Sequence, residues 1–340
     1  MEIKKCMGCG SELQIAHADQ RGYARSMDHD YCQSCFRLKH YRDFKRVKAR
    51  VDDGATLEFI DGFKGNIFWV LDIMHLNQSI HTGLLRSLRG KKVVLVVNKR
   101  DLLPKSVSNT KIEHAIMRAL RDEPVSVMEI VYVSALKRET LEPLLPYIEN
   151  DETAFVGCVN AGKSSLLNAL LGNQNLSVSP VASTTADVVR IETGLGDVID
   201  TPGLSNETEL VDKISDDTLV SLSPQKTIKP TVFQIYEKQT ILFGNLGAIT
   251  ITPKSTVNII SYLPLTLKRI KPERLDANLA LEHEFMIENP EYRLRNWPQL
   301  EDKIDMEIYD LGFVSIQGET VAVETYFDKS AVITIRKAMI

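Results

Sequence analysis

The chain has 340 residues, 44% hydrophobic and 25% charged, with a formal net charge of −4. That is the balance of an ordinary soluble protein with room for two or three domains. The longest apolar runs, around Val93–Val97 and Ile67–Ile73, are of strand length and too short to cross a bilayer. The start, Met1-Glu2-Ile3-Lys4-Lys5-Cys6, has neither an apolar signal core nor Arg/Ser-rich transit character, so a cytoplasmic protein without a membrane partner is expected.

Four of the five cysteines come first in the chain, as Cys6-x-x-Cys9 and Cys32-x-x-Cys35 with 22 residues between the pairs. Paired knuckles without a secretion signal favour zinc over disulfides. Four thiolates make a closed, structural, tetrahedral site, which leaves His17 and His29 between them as spectators. Directly behind comes a stripe of seven basic residues (Arg37, Lys39, Arg42, Lys45, Arg46, Lys48, Arg50) against the single acid Asp43. It suits a contact for a polyanion such as RNA, although composition alone favours a solvated helix face.

From about residue 55 to 205, strands alternate with helices as in an α/β sheet. The strands expected are Asn66–Ile73, Lys91–Asn98, Met128–Ser134, Thr153–Gly157 and Val198–Asp200. The helices expected are Ile80–Arg89, Ile112–Arg121, Leu141–Tyr147 and Lys163–Leu171. Each chemical motif falls at the carboxyl end of a strand, where open α/β sheets collect ligands.

The first motif is Asn98-Lys99-Arg100-Asp101. A carboxylate at Asp101 accepts two hydrogen bonds from guanine N1–H and N2–H₂, which adenine cannot supply, while Asn98 braces the loop and Lys99 lays its stem over the base. An acceptor left unpaired by the wrong base is heavily penalised, so the motif selects against ATP. Ser134-Ala135 then closes the pocket with a backbone N–H aimed at the guanine oxygen.

The phosphate loop follows, Gly157-x-x-x-x-Gly162-Lys163-Ser164, between a strand and a helix. Its glycines let backbone N–H groups turn inward around phosphates, including those at Asn160, Ala161 and Ser165. The helix N-terminus adds partial positive charge. Lys163 reaches the β- and γ-phosphates, and the Ser164 hydroxyl binds Mg²⁺. Thr184-Thr185 lies in the next polar loop, with Thr185 the candidate to close over the metal. Asp200-Thr201-Pro202-Gly203 ends the next strand, Asp200 in the Mg²⁺ shell and the Gly203 N–H sensing the γ-phosphate.

An ordinary GTPase presents the phosphate loop first and the base-reading motif last; this order points to a circular permutation. Leu204 stands where many GTPases carry the glutamine that orients water, so hydrolysis should be intrinsically slow. Asn160 has two readings: it holds a monovalent cation against the phosphates, or it tolerates the turn.

After about Leu204 the alternation fades into short strands at Val232–Tyr236, Gln239–Phe243, Ala248–Thr252 and Thr256–Tyr262. A helical patch around Asp276–Ile287 follows, then strands at Met306–Ile308, Phe313–Ile316, Glu319–Thr325 and Ala331–Ile335. This reads as a separate α+β domain without a second catalytic constellation.

The motif order, behind an N-terminal C-x₂-C…C-x₂-C finger, resembles the YqeH family of circularly permuted GTPases from Cys6 to about Gly203. Ser223-Pro224-Gln225-Lys226-Thr227-Ile228-Lys229-Pro230 resembles the start of that family's C-terminal domain. The resemblance implies an assembly factor for the small (30S) ribosomal subunit, binding rRNA with ribosomal proteins as further candidates. It also implies a potassium-stimulated GTPase, which favours the cation reading of Asn160. The expected fold is α/β: a zinc finger over 1–50, a circularly permuted P-loop GTPase domain over 51–210 and a C-terminal α+β domain over 211–340. The ligands expected are GTP or GDP, Mg²⁺, K⁺ at Asn160, and Zn²⁺ on Cys6, Cys9, Cys32 and Cys35. The competing reading is a GTP-gated adaptor that binds protein and not RNA.

Overall fold

The computed structural model describes residues 53–149, 151–172, 179–182, 188–205, 210–214, 226–281, 289–298 and 300–340, with isolated positions and short stretches within 4–29 and 218–287. The contacts divide the chain into two compact units, Met1–Arg46 and Val47–Ile340. In the first, Leu13 N–H donates to the Lys4 carbonyl and Ala24 N–H to the Gln14 carbonyl, both at 2.8 Å. The four paired cysteines and residues 37–50 lie outside the described residues, as do Thr184 and Thr185.

The second unit begins with helix α1 (Asp53–Gly62), followed by β1 (Asn66–Asp72), α2 (Thr82–Ser87), β2 (Lys92–Asn98), α3 (Asn109–Ala119) and β3 (Val127–Tyr132). Then come α4 (Leu145–Ile148), β4 (Glu152–Val156), α5 (Lys163–Leu171), β5 (Ser179–Ala182), β6 (Val189–Glu192), β7 (Asp197–Asp200) and the short α6 (Leu210–Lys213). The helix expected over Leu141–Tyr147 is mostly a tight 3₁₀ turn, Arg138–Leu144, because Pro143 and Pro146 deny the segment regular helical hydrogen bonds.

These strands form one seven-stranded sheet in the order β3-β2-β1-β4-β7-β6-β5. β1, β2, β3, β4 and β7 run parallel, and β6 is antiparallel to both β7 and β5. Strands covered on both faces need continuous apolar runs, and β1, Asn66-Ile-Phe-Trp-Val-Leu-Asp72, is buried at every position. Alternation divides its side chains between two cores. Ile67, Trp69 and Leu71 join Leu84, Ile112 and Ile116 on one face. Phe68 and Val70 join Leu141, Leu166 and Leu170 on the other.

Beyond residue 230 the chain is built almost wholly of antiparallel strands: β8 (Thr231–Ile235), β9 (Gln239–Phe243), β10 (Gly247–Pro253), β11 (Val257–Tyr262) and β12 (Lys268–Ile270), then helix α7 (Leu275–Leu281). β13 (Tyr292–Trp297), β14 (Lys303–Ile308), β15 (Gly312–Gln317), β16 (Thr320–Asp328) and β17 (Ile333–Lys337) complete it. Two five-stranded sheets, β12-β9-β10-β16-β13 and β17-β14-β15-β11-β8, share one core that includes Phe243, Ile251, Ile259, Met306, Val314 and Phe327. The helix expected around Asp276–Ile287 is α7, which seats Leu279 on Leu242 and Ala248.

This sandwich packs onto the parallel sheet's domain. Tyr262, Phe313 and Met339 belong to the same buried cluster as Trp69 and Met74. Polar contacts add to it: the Glu307 carboxylate accepts the Asn77 and Gln78 N–H groups at 3.0 and 2.9 Å, and Gln78 Nε2 donates to Asp310 at 2.8 Å. Among the described residues no helix is long and apolar enough to cross a membrane.

Candidate nucleotide-binding site

The sheet order brings the ends of β2, β1, β4 and β7 side by side, and the motifs meet there. The phosphate loop leaves β4 and enters α5 through Gly162, whose φ of 93° lies in the left-handed region. A Cβ at Gly162 would stand 2.2 Å from Asn98 Nδ2, so only glycine lets the base loop approach this closely. Asn98, 2% exposed, donates from Nδ2 to the Ala161 carbonyl at 2.9 Å. Lys99, itself left-handed at φ 60°, donates from Nζ to the Asn160 carbonyl at 3.0 Å. The two halves of the motif set, far apart in sequence, are thereby cross-linked.

Lys163 is buried and curls over the loop, its Nζ donating to the Gly157 and Cys158 carbonyls at 3.0 and 3.1 Å. Ser164 Oγ donates to Asp200 Oδ2 at 2.7 Å, which joins two of the three expected Mg²⁺ ligands directly. Ser165 follows in the first turn of α5, where helical N–H groups have no intrahelical partner. Asn160 adopts φ 65°, a conformation asparagine tolerates better than most side chains.

The buried Asn98 Oδ1 has no hydrogen-bond partner among the described residues. An orphaned acceptor at the junction of base and phosphate loops suits a site made for a ligand with donors. Asp101 lies half-buried in the 3₁₀ turn Arg100–Leu102. Arg100 is spent on structure: its guanidinium donates to Asn109 Oδ1 at 2.7 Å and to the Leu103 carbonyl at 3.2 Å. The Ser134 N–H donates to Thr140 Oγ1 at 2.9 Å, which narrows the donor for a base oxygen to Ala135.

Past β7, Gly203 abuts the phosphate loop so closely that a Cβ would lie 2.8 Å from Val159 Cα. Leu204 is wholly buried and zipped to that loop, with Val159 N–H donating to its carbonyl at 2.9 Å and its own N–H donating to Gly157 at 3.1 Å. It has no access to an attacking water.

Three contributors carry no motif. Asp72, the last residue of β1, accepts Lys99 Nζ at 2.5 Å. Asp53 accepts the Ser205 N–H at 2.9 Å just beyond Gly203. Thr227 Oγ1 donates to the Asp101 carbonyl at 2.7 Å, and Ile228 N–H to that of Leu102 at 2.8 Å, so the segment leading to the sandwich lies on the base loop. Thr227 and Ile228 fall within the Ser223–Pro230 segment noted in the sequence, Asp72 had a signal as a charge closing an apolar strand at the same sheet end as the motifs, and Asp53 had none. Among the described residues no group of three or more His, Cys, Asp or Glu side chains is arranged to hold a metal ion.

A parallel sheet in this order, with the phosphate loop downstream of the base motif, defines a circularly permuted P-loop GTPase fold. Residues 84–210 match the family described as RsgA GTPase. Over its full length the chain is 29% identical to the uncharacterized protein YqeH of Bacillus subtilis, and the alignment spans all of that protein as well. It is 33% identical to the small ribosomal subunit biogenesis GTPase RsgA of Geobacillus over 119 residues, which span 33% of this chain and 39% of that one. Among solved structures, YjeQ from Thermotoga maritima aligns with 23% identity and a TM-score of 0.31, over 43% of this chain and 49% of that one. The resemblance to YqeH thus runs along the whole chain, and the family match falls on the part that carries the nucleotide motifs.

Proposed function

We propose that the protein is a GTP-hydrolysing switch acting in assembly of the small (30S) ribosomal subunit. The observation that carries this reading is the cross-linking of base loop and phosphate loop through Asn98 and Lys99. The ribosomal part draws support from the name borne by the Geobacillus relative.

In this reading Asp101 accepts guanine N1–H and N2–H₂, and the Ala135 N–H donates to the guanine oxygen. Lys163 and the N–H groups from Asn160 to Ser165 cradle the phosphates. Ser164, Thr185 and Asp200 would hold Mg²⁺, which when bound neutralises charge developing on the transferred phosphoryl group. The Ser164–Asp200 contact fits that donor set. Gly203 senses the γ-phosphate. Leu204 is buried and offers no water-orienting group, so intrinsic turnover is slow; K⁺ held by Asn160 would supply the charge that an arginine finger supplies elsewhere.

The chain divides functionally into residues 1–50, 51–210 and 211–340. Zinc on Cys6, Cys9, Cys32 and Cys35 holds the first together, and the stripe from Arg37 to Arg50 contacts rRNA. The sandwich offers a second surface to the pre-ribosome.

Steady-state hydrolysis by the full chain tests the nucleotide half of the proposal. GTP but not ATP should be hydrolysed, faster in KCl than in NaCl of equal ionic strength, and Lys163→Ala should abolish turnover. Equal rates in the two salts would remove the role given to Asn160; equal use of ATP would remove the base assignment.

A further inference from the structure

Asp72 is more than the end of a strand. Its carboxylate is 5% exposed, yet it is shared between two elements: Oδ2 accepts Lys99 Nζ at 2.5 Å and Oδ1 accepts the Met74 N–H at 2.9 Å. Its own N–H donates to Ser79 Oγ at 3.0 Å, and that hydroxyl donates to the His75 carbonyl at 2.7 Å, so the backbone beneath the carboxylate is fixed. In the β1–β2 register Asp72 stands directly opposite Asn98. The Lys99 ammonium therefore bridges a carboxylate on one side and the Asn160 carbonyl of the phosphate loop on the other.

Capping the turn at Met74 needs only an acceptor, which serine or asparagine would supply without the cost of a buried charge. A buried carboxylate is retained at a profit only where a cation meets it in good geometry. The cation here belongs to the base motif. Charge-assisted bonds of this length are the strong ones, and they fix a long side chain that would otherwise lose freedom only when ligand arrives.

We propose that Asp72 is a positioning residue for guanine nucleotide recognition. It holds the Lys99 ammonium at the rim of the phosphate loop, so that the lysine stem is already laid across the place of the guanine ring and the two loops are braced before nucleotide binds. This rests on the reading of Asn98–Asp101 as the base site.

The test is calorimetric titration of the full chain with GDP, using wild type, Asp72→Asn, Lys99→Met and the double variant. Asparagine keeps the acceptor for the Met74 N–H and replaces the charged oxygen that meets Lys99 by an amide NH₂, which cannot accept from the ammonium. Lys99→Met should weaken GDP binding strongly. Asp72→Asn should weaken it about tenfold, the scale of one charge-assisted hydrogen bond, and should add almost nothing once Lys99 is already methionine. Asp72→Glu should recover part of the loss. An undiminished affinity in Asp72→Asn, or the same loss with and without Lys99, would overturn the proposal. If wild type ignored GDP, or Lys99→Met bound it normally, the base-site reading itself would fall.

Discussion

Leu204 shows how one residue limits the chemistry available to the site. Its side chain is wholly buried, and its N–H and carbonyl are both committed to the phosphate loop. Putting glutamine there would not restore the water-orienting group of other GTPases, because an amide in that position would be buried without partners. Leu204→Gln should leave GTP turnover no faster than wild type and cost about 2–4 kcal/mol of stability. Hydrolysis kinetics and urea unfolding check both halves, and a faster variant of normal stability would contradict the assignment. The identity of this residue was legible in the sequence. Its burial was not, since an apolar residue after Gly203 fits an exposed switch equally well. Asn98, Lys99, Gly162, Lys163, Ser164 and Asp200 were legible because their chemistry demands particular residue types at fixed spacing. Asp72 and Asp53 lie outside any motif, and their partners Lys99 and Ser205 stand 27 and 152 residues away.

Among the elements, the loop after β1 ties the nucleotide-binding sheet to the sandwich. Asn77 and Gln78 hang from the Glu307 carboxylate, Asn77 Nδ2 donates to Thr334 at 2.9 Å, and the Ser79 carbonyl faces Cys158 Sγ of the phosphate loop at 3.7 Å. Glu307 is fully buried and also receives Arg336, which lies over the Phe313 ring. Arg336 reaches Asp305 as well, whose carboxyl is pushed above the usual range by burial, an effect the neighbouring guanidinium only partly offsets. Removing the Glu307 carboxylate leaves a buried guanidinium short of a partner and two N–H groups without acceptors. Glu307→Ala should destabilise the protein by about 3–5 kcal/mol, read from the urea midpoint. A loss below about 1 kcal/mol would mean that the sandwich is not seated through this contact.

The same scale explains which strands the sequence missed. β5 contains Pro180, which argues against a strand except at an edge, and β5 is the edge of its sheet. β13, Tyr292-Arg-Leu-Arg-Asn-Trp297, pairs only with β16 and keeps Arg293, Leu294, Arg295 and Asn296 exposed, so no buried face betrays it. The parallel strands, buried on both sides, were far easier to read.

For the molecule as a whole, the permutation places Gly203 near the chain's passage from the nucleotide-binding sheet to the sandwich. That passage touches the site twice: Ser205 on Asp53, and Thr227 with Ile228 on the base loop. Tyr262, Phe313 and Met339 then share a core with the nucleotide-binding half. A change at the phosphates would then meet the sandwich through Thr227 and Ile228 on the base loop and through that shared core, as switch proteins turn ligand state into surface geometry. The sequence announced two separate domains here, because patterning within each strand says nothing about which finished sheets dock.

In the function proposed here, the nucleotide site governs attachment to the small ribosomal subunit. Sucrose-gradient sedimentation of the full chain with purified ribosomal subunits, in potassium buffer, compares GDP with a non-hydrolysable GTP analogue. The account predicts comigration with the small subunit in the analogue and its loss in GDP. Equal behaviour in the two nucleotides, or no comigration in either, would contradict it and favour a GTP-gated adaptor that binds protein.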